Sequence, residues 1–259
     1  MDKQITPFSA AQTLLKGELF SFNSRTISDL FGLDKFQTHS LIKRMERAGL
    51  VERIERSKFL LLGLSPEKVL SNPLYIGSNL TTPAYVSFWS ALHFHGFTEQ
   101  VPRTVFIVTT HRKKQLTFHG MHFQFVTIKP QHFFGYRREV LADLPVVIAD
   151  EHKSILDSLT LPQYAGGVPE VAKALQNALS EKALDLSTLL DYAERLENAS
   201  LFSRLGYLLE LLGQPTEELQ ASKGTVKLDP QRKDRGVFNQ RWQLYINVSQ
   251  EELFPQGVA

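Results

Sequence analysis

The 259-residue chain has no cysteine. Neither a disulfide framework nor a thiolate metal site is open to it, which fits a reducing compartment. No apolar run approaches the ~20 residues that a membrane-spanning helix needs. The chain passes straight to Asp2 and Lys3 without an apolar stretch, so a secretory leader is not expected. No Asp-x-Asp pair occurs anywhere, and there is no phosphate-binding glycine loop or Ser-His-Asp set in a suitable context. From Arg103 to Arg138 there is no acidic residue at all. These absences lead to the expectation of a cytoplasmic protein that is not an enzyme and carries no metal or cofactor.

What is present is most informative between Ser24 and Leu62. Ser24 to Phe31 reads as a short helix, Gly32 to Asp34 as a tight turn, and Lys35 to Ala48 as a second helix. Asp34 stands as its N-cap, Gln37 follows three residues later as in a capping box, and Gly49 occupies a left-handed stop position. At 3.6 periodicity Thr38, Leu41, Ile42 and Met45 share one side of this helix. Phe36, Ser40, Lys43 and Arg47 share the other, flanked by His39 and Arg44. Val51 to Leu62 continues as two strands around the charged tip Arg56-Ser57-Lys58. Helix, turn, basic helix and charged hairpin in that order predict a winged helix-turn-helix. Lys43, Arg44 and Arg47 would then reach the groove of duplex DNA, while Gln37, His39 and Ser40 read or position. Phe36 would meet a thymine methyl, and Arg56 and Lys58 would hold phosphate.

The rest reads as a larger mixed domain, giving an α+β chain with a winged helix at residues 1–64 and a C-terminal domain at 74–259. A first helix opens at Thr6-Pro7 with Phe8, Ala11, Leu14 and Leu15 inward. Ser65 to Pro73 reads as a polar connector. Thr82-Pro83 would cap a helix to about His95, with Tyr85, Phe88, Trp89 and Leu92 as its apolar stripe. Strands are expected over 103–110 and 121–128 as partners, with Arg112, Lys113 and Lys114 at the tip between them. An apolar run at Val146 to Ile148 leads to a helix over 150–159, and helices follow to about Leu212. Arg241 to Val248 reads as a last strand, and the segment after Ser249 as loosely held.

The net charge of +2 conceals segregation. Arg112, Lys113, Lys114, Lys129, Arg137 and Arg138 form a second basic block after Arg103, with Phe133, Phe134 and Tyr136 placed to stack on bases. His93, His95, His119 and His122 lack the spacing of a ligand set, so packing or surface roles are expected for them. Asp143 with Glu151 and Lys153 loosely imitates a Mg²⁺ nuclease. However, Lys153 and Asp157 are better read as an i,i+4 pair on a helix capped by Asp150.

Four motifs carry a resemblance. They are Leu92-His-Phe-His-Gly-Phe-Thr-Glu-Gln100 before Val-Pro, and Ala149-Asp-Glu-His-Lys-Ser-Ile-Leu-Asp157 before Pro162 and Gly166-Gly167. Arg204-Leu-Gly-Tyr-Leu-Leu-Glu210 and Trp242-x-Leu-x-Ile-Asn247 follow. In order and spacing they resemble the AbiEi antitoxins of type IV toxin–antitoxin systems. The resemblance implies an autorepressor that binds inverted repeats at its own promoter. It also implies a C-terminal domain that opposes a nucleotidyltransferase-like toxin without requiring a stable complex. Gly77-Ser78 is present without an Asp-x-Asp pair, so the chain is not read as the toxin. The alternatives are a plain winged-helix regulator with a ligand-sensing or dimerising C-terminal domain, and the nuclease.

Overall fold

Thr6 accepts a hydrogen bond from the Ser9 amide and opens α1 (Pro7–Lys16). This helix buries Ala10, Ala11 and Leu14 against the rest of the N-terminal unit. Phe8 and Leu15, expected inside, are 47% and 56% exposed. The contact stripe of α1 is only as wide as two small residues and one leucine, so its larger neighbours fall outside it. The computed structural model describes residues 5–217 and 219–255. The opening residues 1–4, on which the absence of a leader was read, lie outside that range.

β1 (Ser21–Asn23) leads into α2 (Ser24–Phe31), which Asn23 caps and which stops at Gly32 with φ of 64°. The tight turn then delivers α3 (Lys35–Arg47), where Asp34 and Gln37 form the expected capping box. β2 (Val51–Glu55) and β3 (Lys58–Leu61) make the wing, and the sheet order is β1-β3-β2. Strand β3 alternates its allegiance. Phe59 and Leu61 enter the winged-helix core with Ile27, Leu41 and Met45, whereas Leu60 and Leu62 enter the core of the following sheet.

The expected polar connector is instead two short helices, α4 (Pro66–Leu70) and α5 (Pro73–Asn79). Val69 and Ile76 are buried, and Asn72 caps α5 while donating to the Leu141 carbonyl. The helix expected from Thr82 is corrected to β4 (Ala84–Val86) followed by α6 (Phe88–Phe94). Phe88 has φ of 55°, which separates strand from helix, so Tyr85 belongs to the sheet.

A six-stranded sheet follows, made of β4, β5 (Thr104–Thr109), β6 (Leu116–Phe118), β7 (Met121–Thr127), β8 (Tyr136–Leu141) and β9 (Leu144–Ala149). Its order is β6-β7-β5-β4-β9-β8. β5 and β7 do pair, but in parallel, so Arg112 to Lys114 lie in a crossover loop rather than at a hairpin tip. The real tight turn joins β6 to β7 at His119 and Gly120, whose φ values of 48° and 74° suit a two-residue hairpin. The edge strand β8 has no counterpart in the pattern read from sequence, because Tyr136, Arg137 and Arg138 are all exposed.

α7 (Glu151–Thr160), α8 (Val168–Ser180), α9 (Leu186–Arg195) and α10 (Ala199–Leu211) pack as a helical layer, with Asp150 capping α7 as expected and Asn198 capping α10 at a start the sequence reading did not mark. The last strand is shorter than expected. β10 (Val226–Lys227), β11 (Val237–Asn239) and β12 (Leu244–Ile246) form a small sheet, and Trp242 lies in the turn before β12. The segment after Ser249 is not loosely held through Phe254. Ser249 caps α11 (Gln250–Leu253), and Leu253 and Phe254 are buried in the helical core. Residues 256–259 of that segment lie outside the described range. No described helix is long and apolar enough to cross a membrane.

Candidate nucleic-acid interface

The buried face of α3 consists of Thr38, Leu41, Ile42 and Met45, as the periodicity requires. The opposite face therefore presents Phe36, Ser40, Lys43 and Arg47 to solvent, with His39 and Arg44 on its flanks, all exposed. Lys43 and Arg47 have no acid within ion-pair distance among the described residues. Arg44 is drawn to one side, where its guanidinium donates to the Ile5 carbonyl at 3.3 Å. Gln37 accepts the Asp34 amide at 3.1 Å, so its side-chain oxygen serves the helix cap.

Between α2 and α3 lies an open groove of about 730 Å³ lined by Ser24, Arg25, Ser28, Lys35, Phe36 and His39, with Thr38 at its floor. The Thr38 hydroxyl is buried without a hydrogen-bond partner. Ser24, Arg25, Ser28 and Lys35 were missed in the sequence reading. Ser24, Arg25 and Ser28 lie on α2 and Lys35 on α3, and only the exposure of α2, the first helix of the motif, gave a signal for them.

The wing divides its two cations. Arg56 is exposed at the tip and free of any acid among the described residues. Lys58, expected to hold phosphate beside it, turns inward and donates to the Leu80 carbonyl. Burial, aided by nearby Lys113, lowers its pKa to about 8. The reason is its place on β3, the central strand, which is covered by the following domain.

The second basic block does not form one free patch. Lys113 bonds Glu55 at 2.6 Å, Arg138 grips Glu18 through two bonds of 2.8 and 3.0 Å, and Arg137 bridges Glu151 and Glu139. The acids absent from the block are thus supplied by other parts of the chain. Arg112, Lys114 and Lys129 alone remain exposed and unpaired among the described members. Two of the new pairs, with His119 on Glu52 at 2.7 Å, tie the wing hairpin and the α1–β1 loop to the sheet domain.

The stacking trio does not form one free platform, since Phe133 and Tyr136 cluster with Tyr85 and Phe134 turns away. Phe134 is buried against Tyr192, with the Arg195 guanidinium 3.8 Å from its ring centroid. Tyr136 stacks on Tyr85 at 5.1 Å and touches Phe133, so only its outer side meets solvent. Asp143, Glu151 and Lys153 do not converge. Asp143 pairs with Lys68, Glu151 with Arg137, and Lys153 with Asp157 inside the fold. The histidines are likewise separate. His95 hydrogen-bonds the Ala149 carbonyl at 2.8 Å, and burial lowers its pKa, while His122 meets Thr117.

Together these features define a winged-helix unit fused to a mixed α/β body, with Lys43 and Arg47 exposed on one face of α3 and unpaired among the described residues. No family model matches the sequence, and no curated protein matches it. The fold is similar to the crystal structure of the RV2827C protein from Mycobacterium tuberculosis, with a TM-score of 0.57 at 13% identity. That likeness covers 94% of this chain and 92% of the other.

Proposed function

We propose that the chain is a DNA-binding autorepressor and antitoxin of a type IV toxin–antitoxin operon, acting in the cytoplasm. The observation that carries the DNA-binding half is the α3 face. It sets unpaired Lys43 and Arg47 in line with Ser40 and Phe36, opposite a fully buried hydrophobic face. Such a helix offers phosphate ligands and base-edge donors together. Arg56 on the wing and Lys35 at the groove extend the cationic rim, whereas Arg25 beside them is paired with Asp29 at 3.5 Å.

The antitoxin half is supported by the AbiEi-like motifs, and its functional partner is a nucleotidyltransferase-like toxin that need not form a stable complex. A gel-shift titration on the DNA preceding its own gene, at two salt concentrations with scrambled competitor, tests the first half. Specific, salt-sensitive shifts that vanish in Lys43→Ala/Arg47→Ala are expected. Binding unchanged in the folded double variant would overturn the assignment of the face. Co-expression with the neighbouring toxin gene tests the second half, where rescue of growth is expected and unrelieved toxicity would refute it.

A further inference from the structure

We infer that Phe36 sets the sequence preference of the interface by reading the 5-methyl group of thymine in the major groove. This rests on the DNA-binding reading above. Phe36 is 83% exposed, the most exposed of the large hydrophobic side chains described. It is the second residue of α3, on the face opposite Thr38, Leu41, Ile42 and Met45, and no ring packs against it among the described residues. A bare phenyl ring forgoes the stabilisation that burial gives an aromatic side chain, and a ligand that covered it would recover that stabilisation.

Its surroundings decide what that is. The neighbours one helical turn on are His39 and Ser40, and the next along the face is Lys43. No apolar stripe runs from the ring, so a partner helix or a second copy would find a single anchor among polar groups. The groove beside it is rimmed by Arg25 and Lys35, with Lys43 and Arg47 along the same face. Arg25 is paired with Asp29 at 3.5 Å, so among the described residues Lys35, Lys43 and Arg47 supply the unpaired charge, and one apolar point among those three cations is complementary to duplex DNA. The only apolar feature of the major-groove edge there is the thymine methyl. Residues near the N-terminus of a recognition helix are the ones that approach base edges. Ser40, one turn further, then faces the adjacent base pair.

The test begins by selecting bound duplexes from a random-sequence pool with the full chain. Each thymine of the enriched site is then replaced singly by deoxyuridine, which removes only the methyl group. At one or two positions per half-site, binding is expected to weaken about three- to tenfold. The Phe36→Ala variant should bind the thymine duplex more weakly by a similar factor and be indifferent to uridine. Phe36→Leu should retain part of the discrimination. Because the side chain is 83% exposed, both variants should unfold within about a degree or two of the wild-type temperature, which excludes misfolding as the cause. Indifference of the wild type to every uridine overturns this inference and leaves DNA binding standing. Persistence of the uridine effect in Phe36→Ala also overturns it. Failure to enrich any duplex would refute the DNA-binding reading itself.

Discussion

Lys153 and Asp157 stand one turn apart on α7 and form an ion pair with both side chains withdrawn from water, the lysine completely. The aspartate also accepts from Ser87 at 2.8 Å and Tyr85 at 3.1 Å. The ammonium lies over the rings of Tyr85 and Phe134. A buried pair of this kind is sensitive to removal of one partner, because the other keeps its charge without a counter-ion. Asp157→Asn should therefore cost about 3–5 kcal/mol, measured by urea denaturation. The double variant Lys153→Met/Asp157→Asn, which removes the orphaned ammonium but keeps an acceptor for Ser87 and Tyr85, should recover most of that loss. Equal destabilisation of single and double variants would refute the argument.

A second prediction concerns acid. Arg137 holds the Glu151 carboxyl at a pKa of about 2, below its usual 4.5. A depressed carboxylate pKa stabilises the fold above the unfolded value and loses that contribution as protons bind. Stability should then fall as the pH drops from about 4.5 towards 2. In Glu151→Gln that part of the slope should disappear. Parallel pH profiles of the two proteins by chemical denaturation would contradict it.

The two wing cations should separate cleanly. Arg56→Ala is expected to reduce the logarithmic salt slope of DNA binding by about 0.9, the value for one lost phosphate contact. Lys58→Met should leave that slope unchanged, because its ammonium is engaged by the Leu80 carbonyl. A full slope change in Lys58→Met would place that side chain on the DNA instead.

Gly206 offers a packing test. A Cβ built on it would overlap the six-membered ring of Trp242 at Cζ3 and Cη2, while the indole nitrogen donates to Glu210. Gly206→Ala should cost about 3 kcal/mol or more, beyond the common range for overpacking, since helix backbone and indole both resist displacement. A red shift of tryptophan fluorescence should accompany the loss. Wild-type stability in this variant would rule out the close approach.

The winged helix was legible because its signals are local. Asp34, Gln37 and Gly49 mark the ends of α3, and its two faces follow from one period. The sheet was less legible because its decisive events are not local. Tyr85 reads equally well as helix stripe or strand until β5 and β9 are seen on either side of it. The basic block between 103 and 138 misled for the same reason, since Glu18, Glu55 and Glu151 come from distant parts of the chain. Among the motifs that suggested a family, several residues prove to be joints of the core. Asn247 spans the Asp229 and Asp234 carbonyls, Gly206 admits Trp242, and Lys153 meets Asp157.

The alternation along β3 has a consequence for protein engineering. A small N-terminal domain often travels between proteins as a cassette, but here the last strand of the winged helix has no free side. Cutting after residue 64 would strip cover from Leu60 and Leu62, and from Phe20 and Ile54, which pack into the same core. A chimera that keeps the body and imports a foreign head must carry these four residues across the junction. Without them the graft would leave an open apolar seam on both parts, and insolubility would be its first phenotype.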